Sequence, residues 1–335
     1  MSLDIFDDSD SSPETPAKPK PKRRRWLIVL VVFGVLFALL AAIASFYLIS
    51  LNNALNQIQR EPGYAPSYEQ RPPENTTKAV NVMLLGSDSR GAGDTGRSDV
   101  IMWVHVSADR KDVYITSFTR DMWVSIPGYG QGKINWALAF GGVPLQVQTV
   151  ETLIGARADH VASIDFEGFI KLTDALGGVT VYNKYASGQG SPYVFPQGEI
   201  TVSGEQALMY VRERYTLPQG AWSRAERQRD VIAAIILKIL SPGVLGNPVK
   251  FNELAGEVSK TIKVDSSVTN QLIYDTALSM RVSSKANLHS IQAPITGGGQ
   301  AGDQYIDVPN LPQLQELGTA FRTDTVADYL KKYPK

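Results

Sequence analysis

The stretch Lys78-Ala-Val-Asn-Val-Met-Leu-Leu-Gly-Ser-Asp-Ser-Arg90 decides how this chain is read. An apolar run of strand length, residues 79–85, stops at Gly86 and at once presents Ser87, Asp88, Ser89 and Arg90. Ligands of α/β sheets gather where strands end. A few residues on, Gly96-Arg97-Ser98-Asp99 stands just before the next apolar run, 100–106, so two carboxylates and two guanidiniums can meet at one sheet edge.

Working outward, residues 113–118 read as a third strand. Residues 144–154 read as a helix whose Pro144 falls in the first turn, where a missing N–H does no harm. Val147, Val150 and Ile154 then share one face. Residues 161–164 and 179–182 are predicted strands around a helix at 166–176, which Gly177-Gly178 stops. A helical turn at 203–207, a strand at 209–215 and a long helix at 223–240 follow. Helices at 251–259 and 269–280, a strand-like run at 286–295 and a final helix at 326–332 complete the pattern. Strands alternating with helices predict an α/β fold: a single α/β/α domain with a central mixed sheet.

Before that domain, residues 1–25 are polar, acidic first and then basic from Lys18 to Arg25, and are expected to be a disordered tail. Residues 26–50 carry no charge and are long enough to cross a hydrocarbon core of about 30 Å. The preceding basic cluster puts the N-terminus in the cytoplasm and the folded domain outside, as a single-pass protein of the cell membrane. Ala42-Ile43-Ala44 has the look of a cleavage site, but the apolar run is longer than the roughly 7–15 residues of a signal peptide. Residues 51–78 read as a linker, 79–295 as the catalytic domain and 296–335 as a C-terminal extension packed on it. The 335 residues hold 33 Lys+Arg and 33 Asp+Glu, so bulk attraction to nucleic acid is not expected. There is no cysteine and there are three scattered histidines, which excludes thiol chemistry and disfavours a histidine cage or Ser-His-Asp triad.

Chemistry must therefore rest on carboxylates and arginines. Asp88 and Asp99 could hold Mg²⁺, which takes few carboxylates plus substrate phosphates; alternatively each caps a turn. Gly91-Ala-Gly-Asp-Thr-Gly96 matches G-x-G-x-x-G literally, but no helix follows it and the dinucleotide reading fails on context. Arg120-Asp121 ends another strand and could face the same crevice, or form a surface salt bridge. Read as a strand, 209–215 puts Arg212 and Arg214 on one face, and in the helix that follows Arg224 and Gln228 share another. Neighbouring arginines repel unless an anion sits between them. Arginine suits that task because its planar fork binds phosphate bidentately and keeps its proton. The alternative is a solvated basic face balanced by Glu213 and Glu226. Residues 231–240, apolar almost all round, are either a core helix or the wall of a lipid groove.

These clusters in this order resemble the LytR-CpsA-Psr family of bacterial cell-wall enzymes. The resemblance rests on Leu84-Leu-Gly-Ser-Asp-Ser-Arg90, Gly96-Arg-Ser-Asp99, Thr119-Arg-Asp121, Ile126-Pro-Gly-Tyr-Gly130 and Lys133-Ile-Asn135. Asp165-Phe-Glu-Gly-Phe169, Asp174-Ala-Leu-Gly-Gly-Val179 and Ser203-Gly-Glu-Gln-Ala-Leu-Met-Tyr-Val-Arg212 extend it. It implies a Mg²⁺-dependent phosphotransferase that takes a polyprenyl-diphosphate-linked glycan and attaches the phosphoglycan to peptidoglycan, at the C6 hydroxyl of N-acetylmuramic acid. By the same resemblance Asp88 and Asp99 hold the metal. Arg97, Arg120, Arg212, Arg214 and Arg224, with Arg90 less directly, grip the diphosphate, and Gln228 lies near the headgroup. Catalysis would centre on Asp88, Asp99, Arg97 and Arg120, and the lipid would occupy an apolar tunnel. The chain departs from the family pattern at Met122-Trp-Val124, where some members carry a second arginine, and at Gly220-Ala-Trp-Ser-Arg224, where acidic residues are common. A lipid diphosphate hydrolase and a non-catalytic lipid-glycan-binding regulator remain alternatives.

Overall fold

The computed structural model describes residues 23–69, 71–87, 98–245 and 247–334. The chain divides into an N-terminal unit ending at Leu48 and a second from Ile49 to Lys335. Helix α1 (Arg23–Leu55) has no charged residue from Trp26 onward, and its Phe33, Phe37, Leu40 and Phe46 are exposed. Its 33 residues extend about 50 Å, more than the roughly 30 Å of a hydrocarbon core. An exposed helix that is apolar on every side suits lipid rather than water.

The second unit begins with β1 (Gln59–Glu61), β2 (Val80–Ser87), β3 (Ser98–Val106) and β4 (Val113–Phe118). The hairpin β5 (Trp123–Ile126)/β6 (Gly130–Lys133), α2 (Trp136–Ile154), β7 (His160–Asp165) and α3 (Phe166–Ala175) follow. Next come the hairpin β8 (Val179–Asn183)/β9 (Gly198–Val202), α4 (Gly204–Arg212), α5 (Ala221–Ile239), the short α6 (Pro242–Leu245) and α7 (Pro248–Thr261). The chain finishes with β10 (Ile262–Asp265), α8 (Asn270–Ser279), β11 (Leu288–Gln292), the hairpin β12 (Ile295–Ala301)/β13 (Gln304–Pro309), α9 (Leu311–Thr323) and α10 (Val326–Lys332).

One mixed sheet organises the unit, in the order β1-β10-β7-β2-β3-β4-β11. β2 pairs parallel with β7 and antiparallel with β3. Alternation along β2 assigns the two faces. Met83 and Leu85, with Ile101 and Trp103, pack against Val147 and Val150 of α2 and Leu314 and Phe321 of α9. Leu84, with Met102, Val104 and Ile115, meets Ile232, Ala233 and Ile236 of α5 on the other face. Helices thus cover both sides of the sheet, as the alternating pattern predicts.

Several local expectations are corrected. Residues 209–215 are not a strand. Ala207, Tyr210 and Val211 are buried at helical spacing in α4, and this packing overrides the strand propensity of Tyr-Val. The predicted helix at 144–154 is the second half of α2, which breaks at Gly141 and Gly142 (φ −143° and +66°), so Pro144 does fall in a first turn. The 51–78 segment is tied to the domain instead of spanning a gap. Its β1 joins the sheet edge, and Arg71 donates to both oxygens of the buried Glu151 carboxylate at 2.6 and 3.0 Å. Within 296–335, α9 supplies core residues beyond the single helix expected there. The strand-like 286–295 run is a 3₁₀ turn at Lys285–Asn287 followed by β11.

Asp265, buried at the end of β10, gives the fold an acid-sensitive point. Burial raises its carboxyl, but His160, Ser267 and the backbone N–H groups of Val161 and Ser267 outweigh that and hold it at about 2. A folded-state value below the unfolded one contributes stability above about pH 4 that is lost as pH falls toward 2. Asp265→Asn is expected to cost on the order of 2 kcal/mol near neutral pH. Thermal melts at pH 7 and pH 2 check this: the gap from wild type should be wide at the first and nearly closed at the second.

Candidate functional site

The site is built around the carboxyl end of β2. Gly86 pairs with Val100 and Ser87 with Ser98, so the ladder skips Asp99, the extra residue of a bulge. Bulges recur next to active sites because they re-aim the chain. A Cβ on Gly86 would lie 2.8 Å from Cβ of Val100, so only glycine permits this close crossing. Asp88, Arg90 and Arg97 lie outside the described residues, as does the side chain of Asp99.

The other five predicted side chains, Arg120, Arg212, Arg214, Arg224 and Gln228, line one cavity of about 220 Å³, with Val100, Phe166, Val211 and Tyr215. Arg120 stands two residues past the end of β4. Arg212 is the last residue of α4, its guanidinium 4.7 Å from the centre of the Phe166 ring. Glu213 ends that helix, and its Oε1 accepts from the backbone N–H of Arg214 at 2.8 Å and of Thr216 at 3.3 Å. This turn keeps Arg214 at the cavity after the helix has stopped. Arg224 and Gln228 sit one turn apart on α5, and Gln228 Nε2 donates to the Val211 carbonyl at 3.2 Å, joining α5 to α4. The two arginines expected on a shared strand face therefore reach the same cavity from a helix end and the turn beyond it.

Glu213 and Glu226, the two carboxylates of the same run, are engaged away from the cavity. Glu226 pairs with Lys184 at 2.5 Å, and Glu213 serves the backbone. Arg120 reaches Asp121 only at 3.7 Å, while Lys133 holds that carboxylate at 2.8 Å. Among the described residues no ion pair joins a carboxylate to Arg212 or Arg214. Guanidiniums converging on one cavity form a seat for an anion with several oxygens.

Two further arginines of the same run do structural work. Arg227 is buried and donates from Nη2 to Asn183 Oδ1, the Tyr185 carbonyl and Ser187 Oγ at 2.7–2.9 Å, with its guanidinium over the Tyr210 ring. Arg229 donates to Ser117 Oγ and to Gln292 Oε1, and burial pushes its guanidinium down to about 10.

Apolar space adjoins the arginines. A narrow pocket of about 60 Å³ shares Val100, Phe166, Val211 and Gln228 with the charged cavity and continues past Val231 and Ile232. A groove of about 400 Å³ follows along Ile236, Ile239 and Leu240, walled opposite by Val80, Val82 and Val104. One stripe of α5 thus runs from Arg224 through Gln228 and Ile232 to Leu240, from cation to grease. Phe166 and Tyr215 are aromatic wall residues that the sequence alone does not single out. Phe166 lies within the Asp165–Phe169 motif and Tyr215 directly follows Arg214, and those positions are the available signal.

An α/β sheet domain with an arginine cradle opening onto an apolar groove is built to take an amphiphile with a multiply charged head. The chain belongs to the LytR_cpsA_psr family, whose model matches residues 45–322. It is 36% identical over 247 residues to a polyisoprenyl-teichoic acid–peptidoglycan teichoic acid transferase TagU of Enterococcus faecalis, covering 72% of this chain and 79% of the relative. A TagU of Bacillus cereus is 31% identical over 309 residues, 90% of this chain and 98% of the relative. Among solved structures it resembles one described as TagT bound to LI-WTA (TM-score 0.63, 26% identity, 80% of this chain and 99% of that one). B. subtilis TagV is similar at TM-score 0.63 and 25% identity, over 76% of this chain and 98% of that one.

Proposed function

We propose that this protein transfers a phosphoglycan from a polyprenyl diphosphate carrier to peptidoglycan, at the C6 hydroxyl of N-acetylmuramic acid. The observation that carries the proposal is the succession along α5 of the arginine cavity, a narrow apolar pocket that shares its wall, and an apolar groove one helical turn further on. It suits one molecule with a diphosphate at one end and an isoprenoid chain at the other. The names of the relatives, which join a polyisoprenyl-linked donor to a peptidoglycan acceptor, support the same substrate pair.

Phosphoryl transfer asks little covalent chemistry of a protein and much positioning and positive charge. Arg120, Arg212, Arg214 and Arg224 bind the diphosphate and hold positive charge where the departing polyprenyl phosphate gathers its negative charge. The acceptor hydroxyl oxygen bonds to the glycan-bearing phosphorus as the bridging P–O bond breaks, and the departing polyprenyl phosphate, which keeps that bond's electron pair, takes up the hydroxyl proton. Phe166 and Val211 exclude water from one side of the cavity. Two carboxylates fit a hard divalent cation, and the bulge at Asp99 sits across the sheet edge from the strand that leads into Asp88. Mg²⁺ held by Asp88 and Asp99 would neutralise diphosphate charge when bound. The basic run before α1 orients the helix with the N-terminus in the cytoplasm and the catalytic unit outside.

The test is incubation of the full chain in vesicles with a polyprenyl-diphosphate glycan, with and without a peptidoglycan acceptor. Transfer predicts glycan phosphate covalently bound to the acceptor, with release depending on acceptor. Prompt release of free glycan phosphate, unchanged by acceptor, would replace this reading with hydrolysis.

A further inference from the structure

A second cavity, of about 230 Å³, lies on the opposite face of the sheet from the lipid passage. β2 shows the division residue by residue: Leu84 and Gly86 line the apolar pocket, whereas Leu85 and Ser87 line this one. Only the ends of β2 and β7 separate the two spaces, and Ile164 and Asp165 line both.

The lining is mixed. Leu85, Leu138 and Val143 offer apolar surface, and Tyr64, Ser163, Asp165 and Lys263 offer hydrogen-bonding groups. The Tyr64 hydroxyl lies 2.9 Å from Ser163 Oγ. One oxygen of Asp165 accepts from the Gly168 N–H at 2.7 Å and caps α3. Among the described residues the lining carries one carboxylate and one ammonium, unlike the arginine cavity, and its mixed surface suits an uncharged ligand with both C–H and hydroxyl faces. The volume is below the roughly 300–1,000 Å³ of drug-sized sites and admits a single ring. The break of α2 at Gly141-Gly142 shapes this wall and also presents Phe140, which stacks on Tyr129 at 4.9 Å. Both rings are about half exposed, at 45% and 55%, and flat aromatic faces of that kind accommodate the C–H side of a sugar.

We infer that this pocket is the acceptor subsite: it holds one neutral amino-sugar ring of a glycan strand, with the strand continuing over the Tyr129–Phe140 pair. The inference rests on the transfer reaction proposed above. In phosphoryl transfer the attacking and leaving oxygens lie roughly in line across phosphorus. The leaving polyprenyl phosphate departs along α5 on one face of the sheet, so the attacking hydroxyl arrives from the other. The pocket opens on that other face at the same strand ends, and Asp165, shared between the two spaces, is the positioning residue for the incoming hydroxyl.

Val143→Trp fills the pocket, and Tyr64→Ala with Lys263→Ala removes two of its polar side chains. Full-length variants that keep the wild-type Tm would be assayed in vesicles against a soluble peptidoglycan oligosaccharide of varied length and concentration. The expected result is a rise of about ten-fold or more in acceptor KM, with affinity for the polyprenyl-diphosphate donor within two-fold of wild type. An unchanged acceptor KM in both variants overturns the inference, as does a parallel loss of donor affinity, which would make the pocket part of the donor site. Calorimetry of the oligosaccharide against wild type and Val143→Trp separates the two levels. If wild type fails to bind the donor, the proposed function falls, while weaker oligosaccharide binding by Val143→Trp still upholds the pocket and equal binding still removes it.

Discussion

Replacing Arg212 and Arg214 together by alanine is expected to lower glycan transfer by about a thousand-fold or more while leaving the melting temperature within a few degrees of wild type. In the proposed reaction each guanidinium makes charge-assisted bonds to phosphate oxygens, and removal of one preorganised donor at developing charge typically costs about 10²–10³ in rate. The fold should be indifferent, because among the described residues neither side chain joins an ion pair that the loss would break. Removing two like charges from one cavity relieves repulsion in the empty protein. Lysine at both positions should restore only part of the rate, since an ammonium is a point charge without the planar fork. Transfer assays with saturating donor, paired with thermal melts, decide this. A double alanine variant with near-normal transfer would remove the cavity from the reaction.

Arg227→Ala should do the reverse. Its guanidinium sits in the interior, donating to three acceptors within the single stretch Asn183–Ser187 and lying 4.3 Å from the Tyr210 ring centre. Alanine leaves those acceptors in place without their donor and opens a void against Tyr210. The cost is about 3 kcal/mol, from lost charged hydrogen bonds and packing. That corresponds to a fall of roughly 6–12 °C in Tm for a unit of this size. Arg224→Ala, three residues earlier on the same helix and lining the cavity, should instead lower Tm less than Arg227→Ala does and weaken donor binding. Differential scanning calorimetry beside donor titration separates the pair. Equal melting temperatures for the two variants would show that the buried contacts of Arg227 carry no stability.

These two arginines also show what could be read from the chain and what could not. The run Arg224-Ala-Glu-Arg227-Gln228-Arg229 announces a helix rich in cations, and helical spacing separates Arg224 and Gln228 from Arg227. Nothing in the run reveals that Asn183 and Ser187, some forty residues earlier, wait for Arg227. The apolar runs of β2, β3 and β4 were legible because a central strand must be hydrophobic on both faces. α4 was not, because Met209-Tyr-Val211 has strand-like composition and its helical state is set by which faces α3 and α5 cover. β12, with three consecutive glycines, has little strand propensity of its own and is held by pairing with β13. The bond between Arg71 and Glu151 spans 80 residues, so the segment it fastens could only look like a linker. At the site, residue type and order pointed to the arginines. The second cavity on the far side of the sheet depends on the helix break at Gly141-Gly142, which Pro144 signals locally, and on Tyr64 folding back, which leaves no local signature.

The most direct measurement is a structure of the protein soaked with a polyprenyl diphosphate. The diphosphate should lie among Arg120, Arg212, Arg214 and Arg224, with the isoprenoid chain following Val231, Ile232 and Ile236 along α5. A headgroup bound elsewhere, or a chain lying outside that groove while the arginines remain in solvent, would contradict the account.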